Sequence, residues 1–508
     1  MGIPAYFSYI IKENRHLLKS ISSTENKIKP THLFLDSNSI IYDVIRGQTY
    51  TPDNAVKFEK ECIKEICKQI KYYISLIKPT KLTYIAFDGV APVAKLKQQQ
   101  SRRYKNDYLK QKFPKKDPEW NTAAITPGTK FMAMLSSEVT KYFANRANVI
   151  VNTSNEFGEG EHKIFHYIRE NETFTSEDTL CVYGLDADLI MLALQHLKYC
   201  PNLYLFRETP HFIKSIDKSL NPNELYVVDI PLFNTKIVKE LNTVPVKNTI
   251  SDYVFMSFML GNDFIPHMPA LNIRTNGIDR LFDAYTATVS GTTSLTKDNK
   301  IHWSAFKKFI EYLAKNEYHY IKHEYELREK QEKRVMRYYH AKDDEEKWDV
   351  KPQIERTTEH YINPDQDGWQ WRYYKLLTDV DIQYFSPRKM CINYLEALEW
   401  TLAYYSEGCK NLRWCYHYMY PPLLEHLVDY IPSFGTEFVE RNTQKITSEV
   451  QLAYVLPESA AHMLSPKMRS KMQSYYKKAQ HMDMEWAFCR YFWESHLKLP
   501  HLEVEELE

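Results

Sequence analysis

Short apolar runs alternate with longer amphipathic segments along the first 200 residues of the chain. The apolar, β-rich runs span residues 33–41, 82–88, 149–152 and 179–186, and each ends in or leads to a polar residue. Helix-like segments lie between them, and residues 55–77 (AVKFEKECIKEICKQIKYYISLI) are an example. Strands that alternate with helices predict an α/β fold with a mostly parallel central sheet flanked by helices on both faces.

The pattern changes after about residue 290, where charged and aromatic residues become dense and the β-rich runs stop. Helical patterns are clearest at residues 304–346, 390–407 and 465–498. We therefore predict two regions, an α/β region at residues 1–289 and a mainly helical region at residues 290–508.

Composition and charge exclude several classes of protein. With 26% charged and 44% hydrophobic residues, the 508-residue chain has the balance of a soluble globular protein with two or three domains. The net charge is only +1, so a polyanion would have to bind at a local basic patch. The sequence has no CxxC pair and no run of about 18 apolar residues, and its first residues lack the basic start and apolar stretch typical of a signal peptide. We expect no zinc knuckle, no membrane association and a cytoplasmic location.

Seven carboxylates lie in turns or at the ends of apolar runs. In a parallel sheet the carboxyl ends of the strands share one edge, so acids that follow different strands meet there. Clustered carboxylates repel one another strongly unless cations neutralise them. Oxygen-only ligands favour Mg²⁺ or Mn²⁺ over zinc, and pairs of such ions cleave phosphodiester bonds. The sequence thus predicts a metal-dependent nuclease. Its candidate metal ligands and catalytic residues are Asp36, Asp88, Glu159, Glu161, Asp186, Asp188 and Asp263.

Each acidic motif also has a simpler interpretation. Glu159 and Glu161 lie between glycines, either in an extended or turn backbone or at a helix N-terminus, where acids suit the helix dipole. Asp186 and Asp188 are expected to leave an apolar strand on the same side, separated only by Ala187. Any single motif could be a turn or a helix cap, so the argument rests on their joint presence.

A basic segment follows Asp88. Residues 95–116 contain nine Lys or Arg and one acid, and a helix would place four of the polar side chains on one face. Such a face can bind a phosphate beside an acidic site, and an ordinary solvent-exposed basic face is the alternative. The four candidate substrate-binding residues are Lys95, Gln99, Arg102 and Arg103.

Ten different motifs follow one another along the chain. They are MGIPAYF, LFLDSNSIIYD, AFDGVAPVAKLKQQQSRRY, FGEGEHKI, YGLDADLIML, FMLGNDFIPH, NGIDRL, YLEALEWTLAYYSEGC, RWCYHYMYPP and QLAYVLP. In this order they resemble the Xrn-type 5′→3′ exoribonucleases, which are related to the flap endonucleases. The resemblance covers nearly the whole chain. It implies a PIN-like α/β nuclease region followed by a helical second catalytic region that wraps the active site.

The resemblance also implies roles for the candidate residues. The seven carboxylates would hold two Mg²⁺ ions, with Mn²⁺ able to substitute, and the four basic-segment residues would bind the 5′-monophosphate of the RNA. Tyr42 stands where the family usually has a His that stacks on the first bases. Trp414 matches the second of two closely spaced Trp, whereas Leu412 replaces the first, so Trp414 or Tyr416 is left to complete the stack. Plain core packing is the alternative for these aromatic residues.

The function implied by the resemblance is Mg²⁺-dependent, processive 5′→3′ degradation of single-stranded RNA with a 5′-monophosphate, which releases nucleoside 5′-monophosphates. We expect a monomer that acts in mRNA decay, with the decapping machinery as a partner. A flap-type DNA nuclease is one alternative, which a pocket for a terminal phosphate disfavours. A catalytically inactive RNA-binding scaffold is another, which the presence of all seven carboxylates disfavours.

Overall fold

The computed structural model describes residues 2–21, 28–115, 117–171, 174–184, 186–207, 220–221, 224–241, 248–338 and 340–508. Seven strands form the central sheet in the order β1-β7-β6-β5-β2-β3-β4. They are β1 (Leu18–Ser20), β2 (His32–Asp36), β3 (Leu82–Ala86), β4 (Val149–Asn152), β5 (Leu180–Tyr183), β6 (Leu203–Arg207) and β7 (Tyr226–Asp229). The five neighbouring strands β4, β3, β2, β5 and β6 pair in parallel, and β7 and β1 add antiparallel pairs at the other edge. The predicted mostly parallel sheet is confirmed.

Helices of the α/β region surround this sheet. They are α1 (Tyr6–Glu13), α2 (Asn38–Arg46), α3 (Ala55–Ile77), α4 (Val93–Lys112), α5 (Lys130–Phe143), α6 (Gly160–Glu170), α7 (Asp188–His196), α8 (Ile230–Glu240), α9 (Thr249–Ser257) and α10 (Gly277–Thr288). The prediction of a helix at residues 55–77 is confirmed by α3.

The remainder of the chain is mainly helical, as predicted. Its helices are α11 (Trp303–Tyr338), α12 (Asp344–Asp349), α13 (Lys351–Ile354), α14 (Thr357–Ile362), α15 (Trp369–Leu377), α16 (Arg388–Ser406), α17 (Leu424–Leu427), α18 (Ser448–Val455), α19 (Pro466–Ala479) and α20 (Val504–Leu507). Two small antiparallel pairs accompany them, β8 (Thr296–Lys297) with β9 (Lys300–Ile301) and β10 (Asp483–Glu485) with β11 (His496–Lys498). Among the helices described, none has the length and apolar character needed to cross a membrane.

Alternate residues of β2 enter two different hydrophobic cores. Leu33 and Leu35 pack in one core with α2, α3 and α5, whereas Phe34 packs in the other with α6 and α7. This alternation follows from the two-residue period of a strand. The second core continues into the helical region, where α16 contacts α7 and α18 contacts α4. The helical region therefore packs on the elements that carry the acidic and basic motifs.

Two sequence predictions of local structure were wrong. The run at residues 33–41 is a strand only as far as Asp36, because the isoleucines that follow lie on the buried face of α2. The helix predicted at residues 465–498 ends at Ala479, and β10 and β11 follow. The backbone groups of these two strands pair with each other, which helical periodicity does not reveal.

Candidate active site

Three neighbouring strands bring acids to the same edge of the sheet. Asp36 is the last residue of β2, Asp88 lies two residues beyond β3, and Asp186 lies three residues beyond β5. Because β2 pairs in parallel with both β3 and β5, these acids meet beyond the carboxyl ends of the strands. Burial, together with the nearby Asp88 and Asp186 carboxylates, raises the pKa of Asp36 well above its usual value.

The start of α6 adds two buried acids to this edge. Glu159 occupies the N-cap position and Glu161 lies in the first turn, so the helix N-terminus interpretation of this motif is confirmed. Gly160 lies between them and packs against Asp36 and Asp88, the acids at the ends of β2 and β3. Its backbone N–H donates to Asp88 Oδ1 at 2.7 Å, and a Cβ placed on it would lie 2.6 Å from Asp36 Oδ1. Only glycine allows this close approach.

Asp188 differs from its sequence prediction. It does not leave a strand beside Asp186, because β5 ends at Tyr183 and Asp188 is the first residue of α7. Since α7 is buried on all sides, its apolar run could not be told from a strand by periodicity. Asp188 is buried, whereas Asp186 lies at the exposed rim. Burial and the Asp263 carboxylate raise the pKa of Asp188 to about 6.

The seven candidate acids are called the acid cluster below. Lys95 connects this cluster to the basic helix α4. Its Nζ lies 2.6 Å from Glu159 Oε2 and 2.9 Å from Asp263 Oδ2. Burial disfavours the charged form of Lys95, but the Asp263 and Glu159 carboxylates outweigh burial and raise its pKa. Burial also acts to raise the pKa of Asp263, and here the Lys95 ammonium outweighs it, so this pKa is lowered. Two carboxylates 4 Å apart repel by about 4 kcal/mol at an effective dielectric constant of about 20, so acids packed this closely favour the binding of further cations.

The donor atoms of the cluster fit hard divalent cations. Asp36 Oδ1 and Glu161 Oε2 are buried and have no hydrogen-bond partner among the described residues. Oxygen donors of this kind suit Mg²⁺ or Mn²⁺. His162, which the sequence analysis did not identify, lies beside them, and donor atoms of Glu159, Glu161 and His162 fall within 4.8 Å of one another. Burial lowers the pKa of His162 well below its usual value, so its imidazole is neutral.

Asn38 and Gly2 also support the acids and were missed. Asn38 Nδ2 donates to Asp88 Oδ2 at 2.5 Å, and the Asp88 N–H donates to Asn38 Oδ1 at 3.1 Å. The Gly2 N–H donates to Asp263 Oδ1 at 3.2 Å. Gly2 has a φ of +58°, and a Cβ placed on it would lie 2.3 Å from Asp188 Oδ1. Both residues belong to motifs quoted above, DSNS and MGIP, but nothing local in those strings indicates which acid they contact.

The predicted helix of the basic segment is confirmed by α4, but its four candidate residues have different surroundings. Lys95 points into the acid cluster, as described above. Arg103 donates to the carbonyls of Ala123 at 3.4 Å and Ile125 at 3.3 Å, and burial lowers its pKa to about 10. Tyr42, on α2, is half-buried and close enough to Arg103 to influence that pKa.

Gln99 and Arg102 complete the basic face. Gln99 Oε1 is buried without a hydrogen-bond partner in the described part of the chain. Arg102 lines a cavity of about 830 Å³ that extends to Asp263 and Gly2. The cavity thus joins the basic helix to the acid cluster, and the binding of a terminal phosphate by this face stays a prediction.

Trp414 belongs to a column of stacked rings that leads to the acid cluster. It stacks on Trp400 at 5.2 Å between centroids, Trp400 stacks on Tyr404 at 4.6 Å, and Tyr404 stacks on His162 at 3.6 Å. The Trp414 indole also donates to Glu396 at 3.1 Å. Because Trp414 is only half-buried, stacking on a base and core packing both stay open for it.

The two neighbours considered with Trp414 are buried. Leu412 is 6% exposed, and its carbonyl accepts a hydrogen bond from the Val93 N–H at the start of α4. Tyr416 is 4% exposed, and its hydroxyl donates to the Tyr420 carbonyl at 2.9 Å. Trp414 is therefore the more accessible of the two stacking candidates.

The contact of Gly160 with the strand acids leads to a first prediction. In Gly160→Ala the new methyl group would displace Asp36, so we expect the affinity for Mn²⁺ to fall by about tenfold, as is typical when groups that orient metal ligands are changed. Calorimetric titration of Mn²⁺ measures this. Gly435→Ala is the control, because a Cβ there meets no atom within 4 Å among the described residues. Unchanged affinity in Gly160→Ala would remove Asp36 from the metal site.

Comparison with known protein families covers both regions of the chain. Residues 1–209 match the family model described as the XRN 5′-3′ exonuclease N-terminus. Residues 243–366 and 354–508 match the model described as the Xrn1 helical domain. The second match begins at residue 243, so it includes α9, α10 and Asp263 as well as the helical region.

Individual relatives agree with the family models. The chain is 31% identical to 5′-3′ exoribonuclease 1 of Saccharomyces cerevisiae over 354 residues, which are 62% of this chain and 23% of the relative. It is 25% identical to 5′-3′ exoribonuclease 2 of Gallus gallus, with 93% of this chain and 65% of the relative covered. For 5′-3′ exoribonuclease 2 of Arabidopsis thaliana the identity is 24%, with 100% and 66% covered. The chain thus spans between about a quarter and two thirds of the length of these relatives. Since the helical-domain model alone matches more than half of the chain and the nuclease model most of the remainder, the chain belongs to the Xrn 5′-3′ exonuclease family.

Proposed function

We propose that this protein is a Mg²⁺-dependent 5′→3′ exoribonuclease that degrades 5′-monophosphorylated RNA processively to nucleoside 5′-monophosphates. The observation that carries the proposal is the cluster of acids that lie beyond β2, β3 and β5 and at the starts of α6 and α7, with Asp263 joined to them through Lys95 of the basic helix. Two buried oxygens of this cluster have no partner among the described residues. The relatives named 5′-3′ exoribonucleases support the same reaction.

The acid cluster would hold two Mg²⁺ ions, and bound there they would activate a water molecule and stabilise the departing 3′-oxygen. The chain's own residues prepare the site for this chemistry. Asp36 and Glu161 present oxygens that have no hydrogen-bond partner in the described part of the chain, and Asn38 and Gly160 fix the orientation of Asp88. A preorganised site of this kind requires little rearrangement when the substrate binds.

The 5′-terminal phosphate would bind on the basic face of α4. The Lys95 ammonium has three N–H donors and pairs with Glu159 and Asp263, so one donor stays available to a phosphate oxygen. Arg102 lines the cavity that leads to Asp263, whereas Arg103 lies beside Tyr42 of α2. Charged hydrogen bonds from this face would select a terminal phosphate over a hydroxyl.

Base stacking is the basis of a second prediction. Tyr42→Ala should slow RNA degradation about tenfold and reduce processivity, because stacking on an aromatic ring contributes roughly 1–3 kcal/mol per base and is insensitive to base identity. Tyr42→His should be tolerated, since imidazole keeps a π-face. Single-turnover rates measure the first effect, and product length distributions with RNA in excess measure the second. Parental activity in the alanine variant would assign Tyr42 to the core that it contacts.

Side-by-side digestion tests the proposed substrate. We expect rapid degradation of 5′-monophosphorylated single-stranded RNA in Mg²⁺, arrest by a chelator, and slow or no cleavage of a DNA flap of equal length. Faster cleavage of the DNA flap would favour the flap-nuclease alternative. RNA binding without any cleavage in Mg²⁺ or Mn²⁺ would favour a scaffold function.

A further inference from the structure

Two consecutive tyrosines of the helical region reach into the acid cluster. The Tyr404 hydroxyl donates to Glu159 Oε1 at 2.7 Å, and the Tyr405 hydroxyl donates to Asp188 Oδ1 at 2.7 Å. Both tyrosines belong to α16, whereas their partners lie at the starts of α6 and α7. One helix of the second region therefore contacts two different acids of the nuclease region.

The two hydroxyls are held firmly in place by the packing of their rings. Tyr404 is stacked between Trp400 and His162, and Phe264 packs edge-on against it at 5.3 Å. Tyr405 packs against Phe258 at 5.2 Å. A tyrosine hydroxyl is protonated at neutral pH, so both can donate to the carboxylates.

The orientation of Glu159 shows what these donors do. Tyr404 binds Oε1 and Lys95 binds Oε2, so one donor on each side fixes the plane of the carboxylate. Each carboxylate oxygen has two lone pairs, so each can still accept one further ligand. Consecutive helical residues point about 100° apart, which is why the next tyrosine, Tyr405, reaches Asp188 instead.

We propose that Tyr404 and Tyr405 are positioning residues that orient Glu159 and Asp188 for metal binding, so that the helical region completes the metal centre of the nuclease region. This inference rests on the proposed metal-dependent function and assigns part of it to residues outside the acidic motifs. Groups that hydrogen-bond to metal ligands typically change metal affinity by 10–100-fold when they are removed.

Tyr394 provides a matched control on the same helix. It is fully buried, like Tyr404 and Tyr405, but its hydroxyl has no hydrogen-bond partner among the described residues. Tyr394→Phe removes a buried hydroxyl from α16 without touching an acid. Any effect of losing such a hydroxyl on helix packing alone should appear in this variant as well.

The test compares Mn²⁺ binding by calorimetry, without RNA, in Tyr404→Phe, Tyr405→Phe and Tyr394→Phe. We expect about tenfold weaker binding in each of the first two variants and parental binding in the third. Raising the Mg²⁺ concentration should restore most of the RNA hydrolysis lost in Tyr404→Phe and Tyr405→Phe. Thermal melting in a chelator checks that each variant is folded. If one of the two phenylalanine variants does not fold, the other still tests the proposal.

Two contrary outcomes are distinguishable. If the parental protein binds Mn²⁺ and both phenylalanine variants bind it equally well, the positioning role is overturned while the proposed nuclease function stands. If the parental protein binds neither Mn²⁺ nor Mg²⁺, the proposed function fails and this inference fails with it.

Discussion

Asp186→Asn and Asp188→Asn should each abolish RNA hydrolysis while leaving the fold and RNA binding largely intact. Asp186 lies at the exposed rim of the acid cluster and Asp188 in its buried interior. Losing one metal ligand should lower the rate by at least about a thousandfold, because the metals supply both nucleophile activation and charge stabilisation. Single-turnover hydrolysis of 5′-monophosphorylated RNA in Mg²⁺ measures the loss, and filter binding in a chelator measures RNA affinity.

Asp344→Asn is the control for these two variants. Its side chain is 79% exposed and pairs only with its neighbour Lys347 among the described contacts, so hydrolysis should stay at the parental rate. If Asp186→Asn or Asp188→Asn also keeps near-parental activity in Mg²⁺, the assignment of that acid to a two-metal site is wrong.

Arg102→Ala and Arg103→Ala should erase most of the preference for a 5′-monophosphate over a 5′-hydroxyl. A charged hydrogen bond contributes roughly 1.5–3 kcal/mol, so two such contacts give a preference of about a hundredfold or more. Arg102→Ala is the cleaner variant because Arg102 lines the cavity. Arg103 also binds the carbonyls of Ala123 and Ile125, which its removal would leave unpaired. The ratio of kcat/KM for the two RNAs measures the preference.

Lys110→Ala controls for the loss of a positive charge on the same helix. Lys110 lies near the end of α4 with its side chain half exposed, so general attraction to RNA is reduced while the 5′-end preference should remain. If the parental protein digests hydroxyl and monophosphate RNA equally well, the basic face binds the RNA backbone in general and has no role at the 5′ end.

The sheet and its acidic edge could be predicted from the sequence because they follow from local patterns. The apolar runs gave the positions of β2, β3, β4 and β5, and the rule that parallel strands share a carboxyl edge placed Asp36, Asp88 and Asp186 together. The ends of these elements were less certain. In α2 and α7 the apolar residues continue directly from a strand motif, so the change from strand to helix left no break in hydrophobicity.

The contacts that complete the site could not be predicted in this way. Tyr404 contacts an acid 245 residues away and Tyr405 one 217 residues away, and neither tyrosine differs locally from the many others in the chain. Lys95 was predicted to bind phosphate, yet in the structure it pairs with Glu159 and Asp263. The tyrosine contacts depend on how the helical region packs on the sheet, and the Lys95 pairs depend on how α4 lies beside the acids of its own region. Local sequence patterns encode neither arrangement.

The most direct test of the central claim is which end of an RNA is released first. A 5′-monophosphorylated RNA labelled on its 5′-terminal nucleotide, and a second labelled on its 3′-terminal nucleotide, are digested in Mg²⁺ with RNA in excess. We predict immediate release of the 5′ label as a nucleoside 5′-monophosphate, while unprocessed 3′-labelled RNA stays at full length and few intermediates accumulate. Earlier release of the 3′ label, or internal fragments from either RNA, would contradict a 5′→3′ exonuclease.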